Sequence, residues 1–193
     1  MKFKINEKDA LIIVDVQRDF CLGGVLPVPE GDKVVPILNS YIRKFSKADA
    51  KIYAARDWHP PNHVSFKTYG GMWPPHCIQE SEGAKFHPKL VFTNKVKIIS
   101  KATYPSKESY SEFDGTELKE DLEKNGATRV FIGGLATDYC VKKTVLDALK
   151  IGFETILLVD ATRGINLRSP DSKRAIEEMV KKGANKARLS DMQ

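Results

Sequence analysis

The sequence predicts an α/β fold: a three-layer α-β-α domain around an open, mainly parallel sheet of about six strands. Three observations predict it. Short apolar runs rich in β-branched residues alternate with segments of helical period. The helical segments are about a dozen residues long, the length that joins parallel strands. A chain of 193 residues with 41% hydrophobic side chains suffices for one core and is short for two, given roughly 150 residues per domain.

The elements follow in order. Ala10-Leu11-Ile12-Ile13-Val14 is too short for a helix and reads as a buried strand. Val34, Val35, Leu38, Tyr41, Ile42 and Phe45 recur at helical spacing, and Lys51 to Ala55 is a second apolar strand. Lys95 to Ser100 reads as the third. Leu118 and Leu122 mark a charged helix that stops at Gly126, before a strand from Arg129 to Gly133. Val141, Thr144, Val145, Ala148 and Leu149 line a helix that ends at Gly152, and Phe153 to Val159 is strand five. Pro170 opens a last helix that carries Ile176, Met179 and Val180 inward and closes at Gly183; Arg188 to Ser190 adds a short edge strand. The whole chain, 1–193, is expected to be one domain. Its long insertion, residues 56–94, exceeds the roughly 15 residues at which loops become uncommon and usually functional, and it holds all four histidines.

Composition excludes several classes of function. Thirty-one basic against twenty-five acidic residues leave a net charge of +6, but the lysines are scattered and interleaved with acids as on a solvated face, so no nucleic-acid partner is expected. The apolar run at Ala10–Val14 is far below the roughly 18 residues of a membrane span and the 7 or more of a signal-peptide core. Cys21, Cys77 and Cys140 are an odd number without CxxC spacing. The expectation is a soluble, cytoplasmic protein with no membrane partner; homo-oligomerisation is left open.

Ligands of open α/β sheets bind at the carboxyl ends of the strands. The polar residues at those ends are Asp15, the pair Asp57 and His59, Lys101, the turn Gly133 to Cys140, and Asp160. Cys140 falls in the first turn of a helix, where free N–H groups and the helix dipole favour a thiolate. Asp15 directly follows an apolar strand, and desolvation there raises a carboxyl pKa and suits it to proton transfer. Lys101 is its counterion. A carboxylate that accepts the thiol proton and an ammonium that steadies both anions are what a nucleophilic cysteine needs. Alone, Cys140 reads first as a packing residue; Asp15 and Lys101 on the same edge turn the balance to catalysis. Cys21 and Cys77 lack such partners and read as packing.

Asp57, His59 and His76 form a second constellation. Carboxylate and imidazole are ligands for zinc, iron or manganese, and three of them leave positions open for a substrate. One divalent transition metal ion, zinc first and iron or manganese next, is the expected cofactor. His63 and His87 read as supporting or exposed residues, with His63 kept as an extra ligand candidate.

The segments Val14-Asp15-Val16-Gln17-Arg18-Asp19-Phe20, Arg56-Asp57-Trp58-His59-Pro60 with Asn62 to Phe66, Trp73-Pro74-Pro75-His76-Cys77, Lys101 with Tyr110-Ser111-Glu112-Phe113, and Gly134 to Val141 together resemble the nicotinamidases (pyrazinamidases) of the isochorismatase-like hydrolase superfamily. Gln79-Glu80-Ser81 departs from the glycine and threonine usual there. The resemblance implies hydrolysis of nicotinamide, or of pyrazinamide, by attack of Cys140 on the carboxamide. Asp15 shuttles the proton and Lys101 holds the charges, while the backbone N–H groups of Ala136 and Cys140 receive the oxyanion. It also implies a cis peptide at Leu135–Ala136, a metal that binds the ring nitrogen, and a wall for the ring made of Phe20, Leu26, Trp73 and Tyr110. Two other readings compete. A metal-independent amidase for a carbamoyl or ureido compound keeps Asp15, Lys101 and Cys140 without needing Asp57, His59 and His76; a basic binding module has no catalytic site at all. An isochorismatase proper is disfavoured, because those enzymes lack the cysteine.

Overall fold

The computed structural model describes residues 2–193 and contains one six-stranded sheet of order β3-β2-β1-β4-β5-β6. The strands are β1 (Asp9–Val14), β2 (Lys51–Asp57), β3 (Val96–Lys101), β4 (Arg129–Leu135), β5 (Glu154–Arg163) and β6 (Asn185–Ala187). All five pairings are parallel. The helices are α1 (Val34–Lys47), α2 (Leu118–Lys124), α3 (Lys142–Ile151) and α4 (Asp171–Lys181).

The three layers follow from the two-residue period of a strand. On β1, Leu11 and Ile13 face the core under α1, whose Val34, Val35, Leu38, Tyr41, Ile42 and Phe45 are buried. Ala10, Ile12 and Val14 face the opposite core, under Leu118 and Leu122 of α2, Val145 and Ala148 of α3 and Ala175 and Met179 of α4. Strand β1 is buried along its whole length. That explains why it reads as a continuous apolar run and not as an alternating one.

The chain builds outward from β1 through β2 to β3, then returns to the other side of β1 and continues through β4, β5 and β6. The order reverses between β1 and β4, and the crevice beyond the carboxyl ends of those two strands is where such sheets bind ligands. Asp15 leaves β1 there and the turn carrying Cys140 leaves β4 there.

Two sequence expectations need correction. The edge strand is Asn185–Ala187, and Arg188 to Ser190, expected as strand, instead leads into and forms part of a single 3-10 turn, Leu189–Asp191. The Asp191 carboxylate accepts the Arg188 N–H at 2.9 Å and closes that turn, a side-chain signal that outweighs strand propensity in so short a segment. Strand β5 runs on to Arg163, so Asp160 lies within it instead of ending it. There it accepts a hydrogen bond from the Tyr41 hydroxyl at 3.0 Å, away from the crevice.

Candidate active site

Asp15 turns out of β1 with φ of 47°, a left-handed conformation that aspartate tolerates better than most residues. Its N–H donates to Ala55 O of β2 at 3.1 Å. The side chain is buried. Lys101, at the end of β3, donates to Asp15 Oδ2 at 2.8 Å and is also ion-paired with Asp57 at the end of β2. Its Nζ lies 3.7 Å from Cys140 Sγ. The ends of four strands thus deliver two carboxylates, one ammonium and one thiol to a single point.

The electrostatics differ from a simple salt bridge. Burial pushes the Asp15 carboxyl up to about 6 against the pull of the Lys101 ammonium. Burial acts on Asp57 in the same sense, but Lys101 and His59 overcome it and hold that carboxyl well below its usual range. Burial alone would lower the Lys101 ammonium, yet Asp15 and Asp57 raise it well above its ordinary value. The resulting cluster is a permanently charged lysine between a firmly ionised aspartate and a titratable one.

The expectation for Cys140 is corrected here. The turn over Thr137–Val141 is π-helical and precedes α3, so the thiol is not in the first turn of an α-helix. Such local widenings are frequent at functional sites. Burial, opposed by Lys101, raises the thiol well above its usual value, and the resting group is a neutral thiol that needs a base to become a nucleophile. The turn is anchored on both sides: Thr137 and Thr162 share a 2.7 Å hydrogen bond between their hydroxyls, and Asp138 accepts the N–H groups of Ile165 and Asn166. The Leu135–Ala136 peptide is cis.

The long insertion supplies the metal-ligand candidates. Asp57 Oδ2 lies 3.5 Å from His59 Nε2 and 3.9 Å from His76 Nε2. Asp57, His59 and His76 each offer a ligand atom within 4.8 Å of the others, and all three residues are buried. His76 Nδ1 donates to Pro74 O at 2.8 Å; a carbonyl can only accept, so Nε2 carries the lone pair and faces Asp57. Burial lowers the pKa of the His76 imidazole and favours this neutral form. Neither ring nitrogen of His59 has a hydrogen-bond partner among the described residues. Buried imidazole nitrogens left unpaired beside a carboxylate and a second lone pair are the donor set of a divalent transition metal, so these residues fit such an ion. His63 does not join them: Nδ1 is bonded to Ser65 Oγ at 2.7 Å and Nε2 to Lys107 O at 3.0 Å, while its ring packs on His59 with centroids 4.2 Å apart. His87 is tied to Asp32 at 3.1 Å, in a different cluster with Cys21.

Between the two constellations lies a narrow cavity. Phe20, Leu26, Trp73 and Tyr110 line it, together with Asp15, Asp57, His76, Ala136 and Cys140. The Trp73 indole N–H donates to the Tyr110 hydroxyl at 2.9 Å and locks one wall. Lys101 and His59 stand behind this surface. All residues expected at the site therefore line one cavity or back it directly.

Several residues important to this arrangement escape sequence reasoning. Leu135, Tyr139 and Ile165 complete the cavity. Gln17 is buried and fixes Asp57: its Nε2 donates to Asp57 O at 2.8 Å and to Ala84 O at 2.9 Å, and its Oε1 accepts the Asp57 N–H at 2.8 Å. Asp19 Oδ2 accepts the Cys77 N–H at 2.8 Å and pins the segment that carries His76. Both stand in the Val14–Phe20 segment that carries the resemblance, but nothing in that segment marks these roles. Glu112, fully buried beside Lys101, stands in the Tyr110–Phe113 segment of the resemblance, which gives it no role.

An isochorismatase domain model matches residues 9–190. The nicotinamidase of Escherichia coli (strain K12) is 39% identical over 203 residues, covering 94% of this chain and 95% of its own. Among solved structures, the pyrazinamidase of Pyrococcus horikoshii in complex with zinc is 54% identical with a TM-score of 0.90, over 94% of this chain and 99% of its own. The PnC1 protein of L. infantum in complex with nicotinate is 35% identical with a TM-score of 0.92, over 100% and 99%.

Proposed function

The chain belongs to the isochorismatase family, and from that premise we infer that it is an amidohydrolase that converts nicotinamide into nicotinate and ammonia. One observation carries the reading: the candidate nucleophile Cys140 and the candidate metal ligands Asp57 and His76 face one cavity walled by aromatic and apolar side chains. Pyrazinamide, with a ring nitrogen in the same relation to its carboxamide, is a second substrate.

The mechanism starts from a neutral Cys140 thiol and an ionised Asp15. The ligand atoms of Asp15, Asp57 and Cys140 lie within 4.8 Å of one another, so the thiol proton has a short path to Asp15. As sulfur bonds to the carboxamide carbon, the carbonyl oxygen becomes an oxyanion, and the backbone N–H groups of Ala136 and Cys140 receive it. Each such donor contributes roughly 3 kcal/mol by analogy with other oxyanion sites. The C–N bond then breaks, and Asp15 gives its proton to the departing nitrogen, which leaves as ammonia. Water enters, Asp15 removes one of its protons, the oxygen adds to the thioester carbon, and the C–S bond breaks to release nicotinic acid, which gives its carboxyl proton to solvent and leaves as nicotinate. The Cys140 sulfur regains its proton from Asp15. Lys101 remains charged throughout and offsets the Asp15 and Cys140 anions in turn.

A divalent metal, proposed as zinc, is held by Asp57, His59 and His76 and supplies a Lewis-acidic anchor for the ring nitrogen. Phe20, Leu26, Trp73 and Tyr110 form the apolar walls that exclude water from the ring. The metal-independent amidase alternative leaves the unpaired buried His59 nitrogens without a purpose. One hydrolase domain over residues 1–193, with 56–94 as its metal-bearing insertion, is the organisation we propose, supported by a single sheet whose strands span residues 9–187. A cytoplasmic setting is part of the proposal, supported by free thiols at Cys21, Cys77 and Cys140. Among the described residues no helix is long and apolar enough to cross a membrane.

The test is ammonia release from nicotinamide by the purified enzyme and by Cys140→Ala. The native enzyme should turn over and the variant should fall to background with its fold intact. Normal turnover by the variant would remove the nucleophile from the scheme.

A further inference from the structure

Glu112 follows β3 in the loop that leads to α2 and is 0% exposed. Its backbone is fixed: the N–H donates to Thr144 Oγ1 at 3.2 Å and the carbonyl accepts the Thr116 hydroxyl at 2.5 Å. Thr144 in turn donates to Cys140 O at 2.7 Å, so this loop is tied to the nucleophile's own turn. The carboxyl group lies 3.7 Å from the Lys101 ammonium, beyond hydrogen-bond reach, while Lys101 bonds to Asp15 and Asp57. Three carboxyl groups therefore surround one cation.

Glu112 Oε1, Glu112 Oε2 and Asp15 Oδ1 are all buried without a hydrogen-bond partner among the described residues. Three unpaired acceptors in one dry cluster form a costly arrangement. One proton on Glu112 resolves it, because a carboxylic acid has an O–H to give and its neighbour Asp15 has a free oxygen to take it. The groups around Glu112 agree: Asp15 from the end of β1, Asp57 from β2 and Lys101 from β3 act on it, and of these only Lys101 favours its ionisation, while burial and both aspartates oppose it.

We propose that Glu112 is a positioning residue: a neutral buried acid whose O–H donates to Asp15 Oδ1, while Lys101 holds Oδ2, so that the general base is gripped at both oxygens. The Glu112 proton is not consumed in the reaction. It orients the Asp15 carboxylate and stabilises its ionised form, which keeps Asp15 competent at lower pH. The catalytic consequence rests on the hydrolytic reading above; the protonation itself does not.

The first measurement is therefore independent of turnover. An infrared difference spectrum of metal-loaded native protein against Glu112→Gln at neutral pH should contain the carbonyl stretch of one protonated carboxylic acid that the variant lacks. Finding that band supports the buried acid even in an enzyme that fails on nicotinamide, and its absence overturns the proposal. The second measurement is the pH profile of kcat/KM for nicotinamide with metal content monitored. Glu112→Gln keeps a donor and should leave the acid limb in place, whereas Glu112→Leu removes it and should move the limb upward by about one pH unit. If Glu112→Gln instead moves the limb to lower pH, a negative charge was lost, Glu112 was ionised, and the proposal is wrong. Should Glu112→Leu fold yet leave the limb unmoved, the grip on Asp15 is absent and the proposal fails as well.

Discussion

Lys101 Nζ lies 2.8 Å from Asp15 Oδ2 and is ion-paired on its other side with Asp57, so one cation joins the proton-transfer group to a candidate metal ligand. Both carboxylates are buried, and among the described residues no other lysine or arginine is paired with either. Lys101→Met would leave Asp15 an uncompensated anion in a dry interior and remove one of the positive charges that balance Asp57. The expected outcome is loss of at least roughly 10³ in kcat/KM together with destabilisation of about 3–5 kcal/mol. Arginine should not rescue it, because a planar fork cannot replace a point charge in this space. Activity assay and thermal melting check both halves; a variant with native melting and activity would dismiss the bridging role.

The Asp15 value of about 6 fixes a pH window. Its pKa is raised, so below about pH 6 Asp15 holds a proton and cannot accept another from Cys140. Under saturating metal, kcat/KM should fall about tenfold per pH unit below 6 and level off above it. Asp15→Asn should abolish that limb together with the activity. An acid limb near the unperturbed carboxylate range would mean that Asp15 is not desolvated when the enzyme works.

Much of this site is legible in the sequence, for a simple reason. Asp15, Asp57 and Lys101 each end a run of apolar residues, and the parallel arrangement carries every strand end to one edge. Boundaries were less legible. β2 and β3 run to Asp57 and Lys101 themselves, because ladder pairing continues through polar residues when the neighbouring strand supplies the partners: Asp57 pairs with Lys101 in register. The π-helical geometry at Cys140 is invisible to periodicity, since it depends on the Thr137–Thr162 and Asp138 anchors from a distant strand and loop. The roles of Gln17 and Glu112, which stand in segments of the resemblance, are illegible for a related reason. A polar residue reads as solvated unless something signals its partners, and theirs lie on other elements: Asp57 of β2 for Gln17 and Lys101 of β3 for Glu112.

Gly134 tests how tightly the crevice is assembled. It has φ of +125°, and an added Cβ would sit 2.1 Å from Val14 O, in the backbone just before Asp15. Gly134→Ala should cost about 3 kcal/mol through strain and clash, lowering Tm by roughly 10 °C and perturbing Asp15. Gly152→Ala is the control: φ is +109°, but nothing lies within 4 Å of the new carbon, so only the conformational cost of about 1 kcal/mol remains. Equal effects at the two positions would show that the β1–β4 approach is not tight.

The last prediction concerns the metal. His59 and His76 present their free nitrogens to Asp57, whereas Asp57 also engages Lys101, so the ion and the proton-transfer cluster share one residue. His59→Ala or His76→Ala should strip stoichiometric metal, measured by elemental analysis, and collapse kcat/KM for nicotinamide by at least roughly 10². Asp57→Asn should do more than either, because it also unbalances Lys101 and thereby Asp15. Chelation of the native protein should reproduce the histidine effects, and added zinc should reverse them. Benzamide separates orientation from chemistry: it carries the same carboxamide without a ring nitrogen, and a site built around that nitrogen should discriminate against it by roughly 10² or more in kcat/KM. If nicotinamide turnover survives chelation unchanged, or benzamide is turned over as well as nicotinamide, ring anchoring is not the role of Asp57, His59 and His76.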